Sequence, residues 1–216
     1  MANQSTEDYI KSIYNLQRDG KDVTTSELAR HLRIGDGSVT GMVKKLSAKK
    51  LIQYKPYRGV ALTETGKRLA LQMVRRHRLW EMFLVKFLGY AWDEIHGEAE
   101  RLEHATSEEM ERRLDMILGY PKFDPHGDPI PPQHGDPEGT EAVSLAEFNE
   151  GETVKICRVT DDPDILQHAA KLGLHLDAKV TVKNKLKVDG SMVVKVGLQD
   201  CFISQKVASA IFGEAV

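Results

Sequence analysis

The chain has 216 residues, of which 41% are hydrophobic, so it is long enough for one large or two small domains with cores of their own. Its two cysteines, Cys157 and Cys201, exclude a disulfide scaffold and a thiolate-rich zinc site. No stretch approaches the roughly 18 apolar residues of a membrane span, and the N-terminus lacks a basic region followed by an apolar run, so we expect a soluble cytoplasmic protein.

Charge is distributed unevenly along the chain, although the net charge is only -2. Residues 1–78 contain 16 Lys and Arg against 7 Asp and Glu, whereas the remainder contains 14 against 25. A basic surface in the first third would attract nucleic-acid phosphates, but a solvated lysine-rich face would give the same count. The local residue pattern has to decide between the two.

The first 66 residues have the pattern of a winged helix-turn-helix domain. Apolar residues recur at helical spacing behind polar caps, and glycine-containing turns separate the segments. Residues 38–46 bury apolar side chains three and four apart and leave Thr40, Lys44 and Lys45 outside, as a recognition helix does. The predicted elements are helices over 6–17, around 28–32 and over 38–46, and wing strands over 51–55 and 60–63.

The rest of the chain divides into three further regions. Residues 67–120 are predicted to be helical, with helices over 65–88, 91–106 and 107–118. Residues 121–143 are predicted to be a linker, because six of the eight prolines lie between Pro121 and Pro137. Residues 144–216 alternate short strands with one helix, which suggests a small β-barrel of SH3-like type. The predicted elements there are strands over 153–159, 180–182, 192–196 and 201–204 and a helix over 165–172.

Histidine and carboxylate side chains share faces on two of the predicted helices. Six such residues lie one or two helical turns apart, namely His77 and Glu81 on the first helix and His96, Glu100, Glu103 and His104 on the second. Apolar neighbours indicate that the second group faces inward, where a cation would offset the cost of burying carboxylates. Imidazole and carboxylate ligands without thiolate suit manganese, ferrous iron, cobalt or zinc, and the excess of carboxylates favours the harder ions.

An exposed salt-bridge face is the alternative interpretation of these six residues. Five arginines could pair with the glutamates instead of a metal, namely Arg75, Arg76, Arg101, Arg112 and Arg113. Spacing alone does not decide between a metal site and ion pairs of this kind.

Several motifs in a fixed order resemble the diphtheria toxin repressor family over nearly the whole chain. They are the winged helix from residue 6, Arg76-His77-Arg78, the run IHGEAERLEH at 95–104 and EMERRL at 109–114. Within that family, STEDYI at 5–10, YRGVALT at 57–63, Thr65-Gly66 and PHGDPIP at 125–131 resemble the manganese transport regulators. The resemblance implies a mainly α fold with a small β portion, in which residues 67–120 form a helical metal-binding and dimerisation domain. It implies a metal-dependent transcriptional repressor that controls metal-uptake genes and is not an enzyme.

The resemblance also implies two sets of metal ligands. The primary, activating set would be Asp8, Glu100, Glu103 and His104. Iron-sensing members carry methionine where Asp8 stands and cysteine where Glu100 stands, so Mn(II) is expected, with Fe(II) as the second choice and other divalent metals binding in vitro. Manganese regulators with a paired-metal site commonly have glutamate in place of Lys11, which argues against a closely paired site here.

The ancillary set implied by the resemblance would consist of His77, Glu81 and His96, completed by a ligand from the C-terminal domain. Asp161 is the first choice for that ligand and Asp164 the second. An acidic turn before a helix is the alternative interpretation of both aspartates. The C-terminal domain itself resembles the ferrous-transport-A-like SH3 domain, which would support this site or the dimer, or would dock a proline-rich peptide.

DNA contacts are expected from the recognition helix and the wing. Eight residues are the candidates for these contacts, namely Ser38, Thr40, Lys44, Lys45, Lys49, Lys50, Tyr57 and Arg58. Gly41 stands where iron-type relatives have a base-reading glutamine, so direct base readout is expected to be modest. A homodimer would place two recognition helices in major grooves about 34 Å apart on double-stranded DNA, which implies a palindromic operator.

Two other functions fit part of the pattern. A metallohydrolase could hold an activated water between His and Glu pairs on two helices, although no nucleophile motif accompanies them. A winged-helix regulator that responds to an organic ligand would need no metal at all, and its DNA binding would survive His104→Ala.

Overall fold

The computed structural model describes residues 3–17, 22–55, 58–133, 135, 137 and 142–216. The chain divides into two compact units, and the residues of each unit contact one another. The first unit consists of Met1–His77, Leu102–Thr106 and Pro131–Asp136, and the remaining residues form the second. None of the helices in the described ranges has the length and apolar character needed to cross a membrane.

The first unit contains the predicted winged helix-turn-helix, which is confirmed. Its helices are α1 (Gln4–Leu16), α2 (Thr25–Leu32), α3 (Asp36–Ala48) and the first part of α4 (Glu64–Leu88). Strands β1 (Ile52–Lys55) and β2 (Gly59–Leu62) pair in antiparallel register as the wing. Apolar side chains from α1, α2, α3 and the wing form one buried cluster that includes Ile10, Ile13, Leu28, Val39, Val43, Leu46, Ile52 and Val60.

Capping residues set the limits of these helices. Asn3 accepts a hydrogen bond from the backbone of Thr6 at the start of α1, so α1 begins two residues before the predicted start. A capping box of Thr24 and Glu27 starts α2, and Arg33 ends it in the left-handed conformation. The turn between α2 and α3 is therefore fixed locally, as a helix-turn-helix requires.

Gly59 is required by the geometry of the wing. It has a φ of 123°, and a Cβ at this position would lie 2.6 Å from the carbonyl oxygen of Val23. Val23 forms an isolated bridge with Val60, which joins the segment before α2 to the wing. Only glycine permits this backbone approach.

The helical part of the second unit comprises the end of α4, the start of α5 (His96–Ala105) and α6 (Glu108–Leu118). Ser107 caps the start of α6, and Gly119 ends it in the left-handed conformation. Helix α5 begins at His96 and not near residue 91, because Gly89 ends α4 with a φ of 70° and turns fill the intervening residues. Leu79, Leu114, Leu118 and Ile130 form a small core in this unit.

The first part of the predicted proline-rich linker is packed into the second unit. Asp124, His126 and Ile130 are buried, and Phe123 bridges to Pro129. The carboxylate of Asp124 accepts hydrogen bonds from the backbone N–H groups of His126 and Asp128, both at 2.9 Å. These bonds satisfy buried backbone donors without a helix or a strand, which is why a segment rich in proline can be ordered here.

The C-terminal part of the second unit is an antiparallel sheet of six strands in the order β3-β8-β4-β5-β6-β7. Its strands are β3 (Val143–Ser144), β4 (Thr153–Val159), β5 (Lys179–Lys185), β6 (Met192–Val196), β7 (Gln199–Ile203) and β8 (Ile211–Ala215). A 3-10 helix (Leu145–Glu147), α7 (Pro163–Lys171) and α8 (Gln205–Ser209) accompany it. Strand β8 did not stand out in the sequence because Gly213 interrupts it. A Cβ there would lie 2.4 Å from Val154, so the glycine allows the strands to approach.

Candidate metal centres and DNA-binding surface

In the first unit, the start of α1 and the end of α5 bring acidic side chains to His104. Its Nε2 atom lies 2.9 Å from Oδ1 of Asp8, and its Nδ1 atom lies 2.8 Å from Oε2 of Glu7. An oxygen of Glu103 lies 3.7 Å from the same Nε2 atom. The structure thus brings together three members of the predicted primary set, Asp8, Glu103 and His104. Asp8 was expected from the family resemblance, which gave no role to Glu7.

Glu103 is completely buried and has a cationic partner on α1. Nζ of Lys11 lies 2.9 and 2.7 Å from the two carboxylate oxygens of Glu103. Nδ1 of His77 lies 2.5 Å from one of these oxygens and 3.1 Å from the Lys11 ammonium group. Within the first unit, His77, which was predicted for the ancillary set, contacts Glu103 and Lys11.

Glu100 lies one helical turn before His104 on α5 and belongs to the second unit. Within that unit, its carboxylate lies 3.8 Å from Nε2 of His96. The side chain of Glu100 is 41% exposed, in contrast to the buried Glu103.

The second unit contains a cluster of two imidazoles and three carboxylates, in which His96 is exposed and Asp161 is half-buried. Nδ1 of His96 lies 2.7 Å from Asp161 and 3.9 Å from Glu81, so three members of the predicted ancillary set meet there. Glu81, Asp124 and His126, all buried, offer ligand atoms within 4.8 Å of one another. Nδ1 of His126 lies 3.9 Å from Oδ1 of Asp161.

Asp124 and His126 are functional candidates that the sequence analysis missed. Both belong to the segment DPHGDPIP, which was interpreted as linker because of its prolines. The sequence did contain one indication of a site. A histidine and two aspartates lie within five residues of a segment that cannot form a helix or a strand. Their distance in sequence from Glu81 concealed the cluster.

The electrostatics of this cluster favour a bound cation. Burial, reinforced by the negative charges of Glu81 and Asp128, raises the pKa of Asp124 to about 7. Burial alone would lower the pKa of His126, but the negative charges of Glu81, Asp161 and Asp124 outweigh it and raise that pKa. A cation placed among these groups would offset the repulsion between the carboxylates.

The ring of His126 is oriented as a metal ligand would be. Its Nε2 atom lies 2.8 Å from the carbonyl oxygen of Trp92, which fixes the proton on Nε2 in the neutral ring because a carbonyl only accepts. The buried Nδ1 atom, which then carries the lone pair, has no hydrogen-bond partner among the residues that the structure describes. Residues of this cluster therefore fit a divalent metal that prefers nitrogen and oxygen ligands.

Exposed ion pairs account for several of the other charged residues. Arg101 pairs with Glu98, and Arg112 and Arg113 both pair with Glu109. These glutamates are not among the candidate ligands, so the arginines do not replace a metal there. Asp164, the second choice for the C-terminal ligand, is exposed in the first turn of α7.

Most of the predicted DNA-contacting residues are exposed, on the recognition helix α3, in the turn that follows it and at the wing. Ser38, Lys44, Lys45, Lys49 and Lys50 are exposed, as is Arg58 on the wing. Thr40 differs, because it is half-buried and its hydroxyl donates a hydrogen bond to the carbonyl oxygen of Asp36 at 3.0 Å. Tyr57, the other predicted wing residue, lies outside the described residues.

The winged helix-turn-helix and the imidazole–carboxylate clusters define a DNA-binding protein of the metal-responsive class. Comparison with family models agrees in all three regions. Residues 1–60 match the iron dependent repressor N-terminal DNA binding domain, residues 63–132 match the iron dependent repressor metal binding and dimerisation domain, and residues 143–215 match the FeoA domain. The chain belongs to the iron-dependent repressor family, whose members are metal-dependent transcriptional repressors and not enzymes.

Individual relatives match over nearly the full chain. The iron-dependent repressor IdeR of Mycobacterium bovis is 31% identical over 226 residues, which is 98% of this chain and 97% of that protein. A solved manganese-dependent transcriptional repressor in complex with manganese is 37% identical, with a TM-score of 0.90 over 98% of this chain and 100% of the other. The structure of ScaR with bound Zn²⁺ is 34% identical, with a TM-score of 0.85 over 100% of both chains.

These matches confirm the predicted family, fold class and repressor function. The matches also count against both alternatives, the metallohydrolase and the metal-independent regulator, because the family consists of metal-dependent repressors.

Proposed function

We propose that the protein is a homodimeric repressor that Mn(II) activates for binding to a palindromic operator. The observation that carries this proposal is the contact between α1 and α5 in the first unit, where Asp8 lies 2.9 Å from His104. This contact connects the winged helix to the helix that bears most of the primary ligands. A ligand that strengthens it would restrain the DNA-binding elements.

The primary ligands in this proposal are Asp8, Glu100, Glu103 and His104. Glu7 contacts the other ring nitrogen of His104 and acts as its positioning residue, because a carboxylate on one imidazole nitrogen orients the other. The second site consists of Glu81, His96, Asp124, His126 and Asp161, all from the second unit. Each metal ion would supply the positive charge that buried carboxylates require.

Ligand chemistry supports Mn(II) as the physiological metal and Fe(II) as the second choice. Every ligand in both sites is a carboxylate oxygen or an imidazole nitrogen, and this composition favours harder ions over those that prefer thiolates. One of the similar solved structures is described as a manganese-dependent repressor, whereas IdeR is described as iron-dependent.

Restraint at Asp8 reaches the recognition helix through the core of the first unit. Tyr9, Ile10 and Ile13 of α1 belong to the same buried cluster as Val39 and Val43 of α3. A close-packed core transmits a shift of α1 to α3, because it does not deform continuously. Metal binding and operator binding are then coupled, and the coupling is reciprocal.

The test is a titration of operator DNA, selected from random duplexes with Mn(II)-loaded protein, in the presence of Mn(II), Fe(II) or Zn(II). Wild-type protein is expected to bind at least about tenfold more tightly with Mn(II) than with chelator, a coupling within the usual range. Asp8→Met replaces a hard ligand with a soft one and should shift the preference towards Fe(II). The exposed Asp22→Met is the matched control. DNA affinity that is independent of metal would contradict the proposal.

A further inference from the structure

Lys11 is a buried lysine that lies inside the proposed primary site. It lies one turn after Asp8 on α1, so the two side chains share a face of the helix. Only 8% of Lys11 is exposed, which is rare for lysine. Its ammonium group contacts both oxygens of Glu103, at 2.9 and 2.7 Å, and His77 at 3.1 Å.

The ammonium group satisfies a need that the metal would also satisfy. Glu103 is fully buried, and an ionised carboxylate in that position requires a positive charge and hydrogen-bond donors. Lys11 supplies both from α1, so it joins α1 to α5 next to the contact between Asp8 and His104.

Two cations cannot use the same carboxylate without cost. A divalent ion bound to Glu103 would share that carboxylate with the Lys11 ammonium group, and like charges at such short range in a buried site repel strongly. The long flexible stem of lysine lets the ammonium group leave while the helix stays in place. Metal binding must therefore either displace the ammonium group or proceed against its repulsion. Both lower the measured affinity of the site for the metal.

We infer that Lys11 is a tethered competitor of the metal ion for Glu103, and that it sets the metal affinity of the primary site. This inference rests on the proposed function, because it needs a metal at Glu103 and His104. Before metal binds, the ion pair neutralises Glu103 and holds α1 against α5. Activation then exchanges one cation for another, and the metal concentration at which the exchange occurs depends on Lys11.

The test is a calorimetric titration of Mn(II) into the full chain. The binding transition that His104→Ala removes is assigned to the primary site. Lys11→Met removes the charge at nearly constant length, and we expect the dissociation constant of that transition to fall at least about tenfold. Lys11→Arg retains the charge and should stay near the wild-type value. Lys55→Met, an exposed lysine on β1, is the matched control and should change nothing.

A purely structural lysine would behave differently. Its replacement would lower the unfolding temperature in chelator without tightening metal binding. Lys11→Gln keeps an amide that can donate to Glu103, so it provides a second neutral variant if Lys11→Met does not fold without metal. Unchanged or weaker Mn(II) binding in both neutral variants would overturn the inference. If His104→Ala removed no transition from the wild-type titration, the proposed primary site itself would be wrong.

Discussion

At the scale of single residues, the second site depends on groups that are adjacent in space and distant in sequence. His126 and Asp124 come from a proline-rich turn, Glu81 from α4 and Asp161 from the residues after β4. Asp124 also organises that turn, since it accepts hydrogen bonds from two backbone N–H groups. One side chain therefore shapes the loop and contributes to the charge of the site.

The carboxylate of Asp124 is expected to be essential for metal binding at the second site. Asp124→Asn keeps an oxygen that can accept the two backbone hydrogen bonds but removes the negative charge. Because the charge is lost both from the site and from the ion pair with Arg78, whose Nε atom lies 3.2 Å from Asp124, we expect Mn(II) affinity at this site to fall at least about tenfold, the lower range for altered metal-site groups. A metal titration measures it.

Asp128→Asn is the matched control, since Asp128 lies in the same turn and contacts Arg78 and Arg158, at 3.7 and 3.5 Å. Equal losses of affinity in the two variants would show that the turn, and not the Asp124 carboxylate, is what matters.

Helical spacing alone indicated the candidate ligands on α4 and α5, whereas Asp8 and Asp161 were expected only from the family resemblance. Glu103 and His104 lie on a predicted helix, and burial of that helix face follows from its apolar neighbours. The partners of Glu103 were not predictable, because Lys11 and His77 reach it across 92 and 26 positions in the chain. Periodicity contains no information about such contacts, and a lysine beside carboxylates is ordinarily a solvated residue.

At the scale of elements, amphipathic helices were located to within a few residues, except for the start of α5. Short elements that depend on tertiary pairing were missed, including β3, α8 and the glycine-containing β8. The hydrophobic residues in these elements show no strong periodicity. Strand β8 is stabilised by its pairing with β4 and not by a local preference of its residues for the strand conformation.

The wing is expected to depend on Gly59. Gly59→Ala would place a Cβ 2.6 Å from the carbonyl oxygen of Val23 at a φ of 123°, so we expect a loss of roughly 1–3 kcal/mol in unfolding free energy, the usual cost of a strained backbone. Thermal unfolding measures it. Gly37→Ala in α3 is the control, because its Cβ would meet no atom within 4 Å and alanine is the better helix former. An equally stable Gly59→Ala protein would contradict the prediction.

On the recognition helix, Lys44 and Thr40 are expected to differ in their contribution to DNA binding. Lys44→Ala should weaken binding to all duplexes similarly and reduce the slope of log affinity against log salt by about 1, as loss of one phosphate contact does. Thr40→Val should have a smaller effect, because the Thr40 hydroxyl already donates to Asp36. Titrations at several salt concentrations measure both. Lys183→Ala, exposed on β5, is the control for Lys44. A salt slope that Lys44→Ala leaves unchanged would remove Lys44 from the DNA interface.

At the scale of the whole molecule, the chain has two units with separate cores. Three of the four proposed primary ligands lie in the first unit, and the proposed second site lies in the second unit. A ligand that binds only the folded form stabilises it by about 2.7 kcal/mol at 100 times its dissociation constant. Mn(II) should therefore slow amide hydrogen exchange in both units, with Ile10 and Val43 reporting on the first and Ile156 and Val194 on the second. His104→Ala should abolish the Mn(II) effect only at Ile10 and Val43, whereas Asp161→Asn should abolish it only at Ile156 and Val194. If either substitution removed the Mn(II) protection from both pairs of amides, the two sites would not stabilise their units independently. The two units would then unfold as one cooperative unit.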